Sequence, residues 1–530
     1  MPLRIVIALA LLVSLPFLLA YFLAGEGQVF GGFLLNPADG NSYLAKMYQG
    51  WRGEWTFTLP YSAEMGRGIY LFTLYLFLGR LARWLNLPLL LVFHAARLLS
   101  ALFLTWMTWL FIDRLELDQP RKYFAFTLAC LGLGLGWLAL PFGGVTSDFW
   151  VAEAYPFLSS YANPHFPLSL ALLLWLTLPL LRVDPPDQKN WLRGWQSAPL
   201  RLLAAALLAN ISPFALALAL AIQGLFIAWA WLDQRWGQNV STPEADWVAP
   251  PLIPWLVHWG LIFAGGFPVA LYALAVTRLD PLLAAWNAQN LTPSPPVWYL
   301  LLAFSPALLL ALPGAWFVYR APRRSGRVLL IWLALAAVTV YLPFGLQRRF
   351  LLGLYLPVAG LAAFGLEMLQ ARLGVRTRTL AAATLALALP TLLIVLLLGQ
   401  VGALRHDPQL FLSRGEADAL NWLVDNAPER ALVLASPRVG LFIPAHTGRR
   451  VIYGHPFETV NAQAEEAAVT AFFETAAAQP DAAAAFLAAR QVDFVFWGPS
   501  ERALGGLAGV SGLETAYDRA GVVIYRVARP

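Results

Sequence analysis

A carboxylate early in the chain and a pair of guanidiniums late in it are the groups best suited to do chemistry. Asp39 lies in the stretch Asn36-Pro37-Ala38-Asp39-Gly40-Asn41-Ser42-Tyr43, and Gln347-Arg348-Arg349 stands between two apolar runs. A carboxylate can take the proton of an attacking hydroxyl, and arginines grip phosphate oxygens through two parallel hydrogen bonds. Acid early and cationic pair late, on one membrane surface, fit a lipid-linked phosphate substrate. Glu153 is a second candidate acid. Arg348, Arg349, His165, Asn163, Tyr43, Glu64 and Asn210 complete the expected substrate-binding set.

Each of these residues also has a plain structural reading. Asp39 can cap a helix, as Asx residues commonly do. Arg348 and Arg349 can be interfacial anchors whose heads reach the headgroups, although arginines on the side that charge bias disfavours need a partner. Asn163-Pro164-His165 has the form of a helix start, with proline suited to the first turn. Glu153 can be a solvated loop charge, and Lys46 and Arg52 read as surface charges. Arg97, His94 and His258 fall in or near apolar runs, where Arg97 is expected to snorkel or pair internally. His446 and His455 lie in the Pro/Gly-rich stretch 437–456 and match neither a spaced metal motif nor a triad. Gly132, Gly134 and Gly136 resemble a nucleotide fingerprint only in writing; inside an apolar run they read as close helix packing.

The elements that must position these groups are mostly apolar runs. The chain has 530 residues, 59% hydrophobic and only 12% charged, against roughly 25% charged in a soluble domain. Mean hydropathy is +0.62. Runs at about 5–24, 69–85, 88–112, 122–141, 166–182, 200–210, 213–232, 253–277, 298–319, 328–345, 350–371 and 379–402 approach the ~20 residues that span a bilayer core. The 22 Trp and 17 Tyr suit a protein with two water–lipid interfaces. The net charge of +6 reflects Lys and Arg retained on the cytoplasmic side, and no basic patch with interleaved aromatics points to nucleic acid. Cys130 is the only cysteine, which excludes intramolecular disulfides and cysteine metal sites.

Charge bias orients the runs. Residues 142–165 hold Asp148 and Glu153 but no Lys or Arg, so this loop is expected outside. Arg182, Lys189, Arg193 and Arg201 mark an inside loop, as do Arg320, Arg323, Arg324 and Arg327, and Arg372, Arg376 and Arg378. Arg4 places the N-terminus inside, ahead of an uncleaved first span. For 25–66 and 142–165 both to lie outside, the run 69–85, ending in Arg80, Arg83 and Trp84, must be an interfacial or re-entrant helix. Residues 200–232 must cross twice, broken at Asn210-Ile211-Ser212-Pro213, where proline removes a backbone donor. About eleven crossings result, with residues 403–530 outside. That tail alternates helix and strand: Glu416–Val424, Glu465–Phe473 and Asp481–Arg490 read as helices. Residues 431–435, 492–497 and 522–526 read as strands, giving an α/β unit.

The order of first span, outer loop with an early Asp ("ADGNSYLAKMYQGWRGEW"), many spans, "LQRRFLLGLYLPVAGLAAFGL" and outer domain resembles the GT-C glycosyltransferases. These are integral membrane enzymes that take a sugar from a polyprenyl-phosphate carrier, related to protein mannosyltransferases and the aminoarabinose transferase. The resemblance is architectural over about 1–402 and local in its motifs. It implies a polytopic α-helical membrane protein with a catalytic part at 1–402 and an extracytoplasmic α/β domain at 403–530, in the plasma (inner) membrane of a cell with an envelope. It implies Asp39 as catalytic base and Arg348 and Arg349 as phosphate ligands. The partners implied are the polyprenyl-phosphate-linked sugar, the lipid bilayer and an acceptor of unspecified chemistry. The chain departs from the pattern in two places: Gly40 follows Asp39 where many relatives have Asp-Glu, and Asn41 stands where metal-dependent relatives complete Asp-x-Asp. No metal or other cofactor is expected. The competing functions are a transporter or flippase of lipid-linked saccharide, which would be expected to show inverted repeats and paired broken helices, and a non-catalytic membrane scaffold.

Overall fold

A computed structural model describes residues 1–181, 197–236, 252–320 and 324–528. Arg182, Lys189, Arg193 and Arg323 of the expected inside loops lie outside the described residues. Six helices among them are long and apolar enough to cross a membrane: Leu3–Leu23, Leu89–Asp113, Pro213–Arg235, Leu252–Leu279, Gln347–Leu373 and Thr377–Leu404. Two further pairs qualify when each is counted as one bent span, Gln119–Leu131 with Gly136–Phe142 and Val297–Phe304 with Ala307–Arg320. The chain is an integral membrane protein, since helices satisfy their own backbone groups where lipid offers no partners. Three of the shorter apolar helices, His165–Leu181, Ala198–Ile211 and Ser325–Thr339, occupy the remaining expected runs. The run at 69–85 is a helix only from Thr73 to Leu85.

The chain divides into two compact units, each assembled from separated segments. One comprises Met1–Ser14, Arg97–Tyr272 and Thr292–Leu397; the other comprises Leu15–Ala96, Ala273–Leu291 and Leu398–Pro530. The change of composition near residue 402 suggests a cut there. The compact units instead join the first polar loop to the tail.

In the first unit, glycines set how closely helices approach. A Cβ on Gly314 would stand 1.9 Å from the Leu361 carbonyl oxygen, and one on Gly365 would stand 2.0 Å from that of Leu310. The helices Ala307–Arg320 and Tyr355–Leu373 therefore touch backbone to backbone. The glycine run 132–136 differs from its expected helical packing. The helix Gln119–Leu131 ends before it, and the N–H groups of Gly134 and Gly136 donate to Asp148 Oδ2 at 3.1 and 2.9 Å. Close approach does hold at Gly134, whose Cβ would stand 1.9 Å from the Ala303 carbonyl oxygen. The Thr146 hydroxyl also donates to Asp148. Burial pushes the Asp148 carboxyl up, and these hydrogen bonds draw it back down.

The second unit contains a five-stranded mixed sheet. Strands β1 (Gln28–Phe30) and β2 (Phe411–Ser413) pair antiparallel and bind the first polar loop to the tail. The sheet itself is built from β3 (Leu432–Leu434), β4 (Arg450–Val451), β5 (Phe494–Trp497), β6 (Leu513–Arg519) and β7 (Val522–Val527), in the order β4-β3-β5-β7-β6. β3 runs parallel to β4 and β5, while β7 runs antiparallel to β5 and β6. The stretch 437–456, read as Pro/Gly-rich, begins with a helix, Pro437–Thr447. Ser436 caps it, Pro437 sits at its first turn and Gly448 closes it in the left-handed region. Ser413 and Glu416 form a reciprocal capping box on Arg414–Asn426, which fixes where that helix starts. The helix Pro37–Arg52 crosses Thr73–Leu85 so closely that a Cβ on Gly50 or Gly79 would meet the Leu76 or Met47 carbonyl oxygen at 1.9 and 1.8 Å. That crossing holds the polar face of Pro37–Arg52 in place.

Candidate functional site

In the first unit, Glu153 and both arginines form one charge cluster. Glu153 lies in a short 3-10 turn, Ala152–Ala154, and its side chain is 4% exposed. Arg348 and Arg349 lie in another, Gln347–Leu351. Arg348 Nε donates to Glu153 Oε1 at 3.2 Å, and Arg349 Nη1 donates to the same oxygen at 3.4 Å. One backbone bond ties the second segment to the first, Gly353 N–H, just past its turn, donating to the Glu153 carbonyl at 2.8 Å; the Arg348 N–H donates to the Thr292 carbonyl at 3.1 Å. Trp150 lies under the Arg348 guanidinium at 4.8 Å and Phe166 under that of Arg349 at 5.9 Å. The arginine side chains remain 19% and 29% exposed. One buried carboxylate neutralises one of two partly exposed guanidiniums. The surplus positive charge and the remaining N–H donors suit an anion with several oxygens.

In the second unit, Asp39 occupies the first turn of the helix Pro37–Arg52, and its side chain is 48% exposed. Ser42 and Lys46 follow it on the same helical face. Lys46, read from the sequence as a surface charge, is 1% exposed. Its Nζ donates to Glu458 Oε1 at 2.6 Å and to Ser42 Oγ at 3.1 Å, and lies 4.2 Å from the centre of the Phe72 ring. His455 faces Asp39, with Nε2 3.7 Å from Oδ1. The Tyr75 hydroxyl is raised well above its ordinary range, by burial first and then by the charges of Tyr43 and Asp39.

The remaining candidates divide. Asn163 Oδ1 accepts the Phe166 N–H at 3.1 Å, so its side chain caps the helix that begins at His165, the plainer of its two readings. His165 packs against Phe166, ring centres 4.2 Å apart. Tyr43 stacks on Tyr75 at 4.5 Å with planes 4° apart. Glu64 is an exposed loop residue, and Asn210 sits in the last turn of Ala198–Ile211, before the break at Ser212. Arg97 is buried and donates to the carbonyls of Ser160 and Tyr161 at 3.0 and 3.3 Å, pairing internally. Among the described residues no group of three or more His, Cys, Asp or Glu could hold a metal ion. The sequence reading missed the roles of His455, Glu458 and Ser42. The spacing of Asp39, Ser42 and Lys46 along one helical face was the available signal.

No protein family's sequence pattern matches the chain, and no curated protein does. Solved structures do. The apo oligosaccharyltransferase of Archaeoglobus fulgidus aligns over 99% of this chain and 74% of its own, with 13% identity and a TM-score of 0.51. ArnT from Cupriavidus metallidurans, solved bound to undecaprenyl phosphate, aligns over 98% of both chains with 14% identity and a TM-score of 0.51. The chain has the fold of the GT-C membrane glycosyltransferases.

Proposed function

We propose that the chain is a membrane glycosyltransferase that moves a sugar from a polyprenyl-phosphate carrier to a hydroxyl-bearing extracytoplasmic acceptor. The observation that carries this reading is the arginine pair sharing one buried carboxylate, in a chain with this fold. A polyprenyl-phosphate sugar is a phosphodiester and leaves as a phosphomonoester with one more negative charge. Arg348 and Arg349 stabilise that developing charge, the kind of interaction that favours the transition state over the ground state. Glu153 orients them and keeps their net charge near +1. That assignment replaces the expectation of Glu153 as a second reacting acid. Asp39 takes the acceptor's hydroxyl proton while the acceptor oxygen bonds to the anomeric carbon and the carbon–phosphate-oxygen bond breaks. The undecaprenyl phosphate bound by ArnT supports a carrier of that class. His165 and Asn210 remain candidate sugar contacts, as do Tyr43 and Glu64.

The same reading has eleven crossings, reached by adding the three short apolar helices to the eight spans, with the region beyond residue 402 outside as an α/β domain. Purified protein in proteoliposomes, given undecaprenyl phosphate carrying radiolabelled hexoses or pentoses and an envelope extract as acceptor source, should transfer label from at least one donor. Movement of intact donor across the bilayer without cleavage would favour the flippase instead.

A further inference from the structure

His455 is buried, 455 residues into the chain, and faces the proposed base. Its ring has an unusual constraint. Nδ1 accepts two backbone N–H groups, from Phe457 at 3.0 Å and Glu458 at 3.2 Å. The His455 N–H in turn donates to Thr459 Oγ1 at 3.3 Å, and the Thr459 N–H to the His455 carbonyl at 3.0 Å, closing the segment 455–459 on itself. The Tyr61 ring packs against the imidazole, centres 5.7 Å apart. An Nδ1 that receives two donors carries no proton, so the neutral ring holds its proton on Nε2. The ring cannot act as a base, because its one lone pair is already engaged. It can only donate, and the direction of that donation is fixed.

Nε2 is buried and has no hydrogen-bond partner among the described residues, which is costly for a polar group. The carboxylate before it, Asp39 Oδ1 at 3.7 Å, needs to close by only about 1 Å to make a hydrogen bond of ordinary length, and the Asp39 side chain is half exposed. Catalytic hydrogen bonds are often long before substrate binds and tighten afterwards.

We infer that His455 is a positioning residue that holds Oδ1 of Asp39 through its Nε2–H, leaving Oδ2 directed at the acceptor hydroxyl. The inference rests on the reading of Asp39 as the base. It reverses the usual division between acid and imidazole, because here the imidazole orients and the carboxylate takes the proton.

Two substitutions in the full chain separate the donor from the loop it helps to build. His455→Asn keeps an acceptor near the position of Nδ1 for the two backbone N–H groups and loses the Nε2 donor. His455→Gln reaches the Nε2 position with an amide N–H and loses the acceptor. In the proteoliposome assay, with whichever labelled undecaprenyl-phosphate sugar the wild type uses, His455→Asn should lower kcat about 10- to 100-fold, the size of a hydrogen bond to a charged group. Donor KM and melting temperature should stay near wild type. His455→Gln should melt earlier yet keep most of its kcat at a temperature where it is folded. In an Asp39→Asn background, His455→Asn should cost nothing more. The reverse pattern, with Asn harmless to kcat and Gln damaging to both, would show a purely structural histidine and overturn the inference while Asp39→Asn remains inactive. An active Asp39→Asn enzyme would instead remove the base assignment itself, and this inference with it.

Discussion

Lys46 Nζ lies 2.6 Å from Glu458 Oε1, joining side chains 412 residues apart with 1% and 11% of their surfaces exposed. The ammonium also donates to Ser42 Oγ and lies over the Phe72 ring, so three kinds of contact converge on one buried charge. Their effect is to fix the helix that carries Asp39 against the segment that carries His455. Removing one partner strands the other charge, which costs about 3–5 kcal/mol. Lys46→Met and Glu458→Leu should each lower the melting temperature of the detergent-solubilised protein sharply. The double variant should recover much of the loss, since an apolar pair needs no charge compensation. Additive losses would show that the two do not act as a pair.

Asp39→Asn tests the base. Asn is nearly isosteric with Asp, and position 39 lies inside the first turn of its helix, whose cap is Asn36, so expression, melting temperature and donor binding should stay near wild type. Turnover should fall by roughly 10²–10⁴-fold, the usual contribution of a general base.

The arginine pair should act on the donor and not on the fold. Arg348→Ala or Arg349→Ala should weaken binding of undecaprenyl phosphate by about 1.5–3 kcal/mol, the scale of hydrogen bonds to charged groups. Lysine should restore only part of it, because an ammonium cannot reproduce the planar two-pronged contact. Titration of the purified variants by calorimetry reads this directly. Glu153→Gln is the sharper case. It leaves both guanidiniums without their counter-charge, so carrier binding should persist or tighten while turnover drops. Wild-type turnover with Glu153→Gln would contradict an orienting role.

Gly314→Leu should separate the helices Ala307–Arg320 and Tyr355–Leu373. The new side chain would begin 1.9 Å from the Leu361 carbonyl, where no rotamer avoids the backbone. Overpacking of this kind commonly costs about 1–3 kcal/mol, read as a lower melting temperature and lower yield of folded protein.

Much of this protein is written locally. Runs near the length of a bilayer crossing, the proline at the 210–213 break, the Ser413–Glu416 capping box and the alternation of helix and strand in the tail each depend on residues within a few turns of one another. Those features follow from backbone hydrogen bonding and the thickness of the bilayer. Arg348 and Arg349 stood out from the sequence for a similar reason, as paired charges where charge bias disfavours them. Tertiary structure alone decided what those charges meet. Glu153 lies 195 residues before Arg348, so no short-range pattern could distinguish a solvated loop acid from the buried counter-ion of two arginines. The helical spacing of Asp39, Ser42 and Lys46 was visible, but of their partners His455 lies in a stretch that composition marks only as rich in proline and glycine, and Glu458 lies just beyond it. The break at Gly132–Gly136 shows the same limit. Glycine permits both close helix crossing and an anion held by backbone N–H groups, and the choice depends on Asp148 arriving at that point in space.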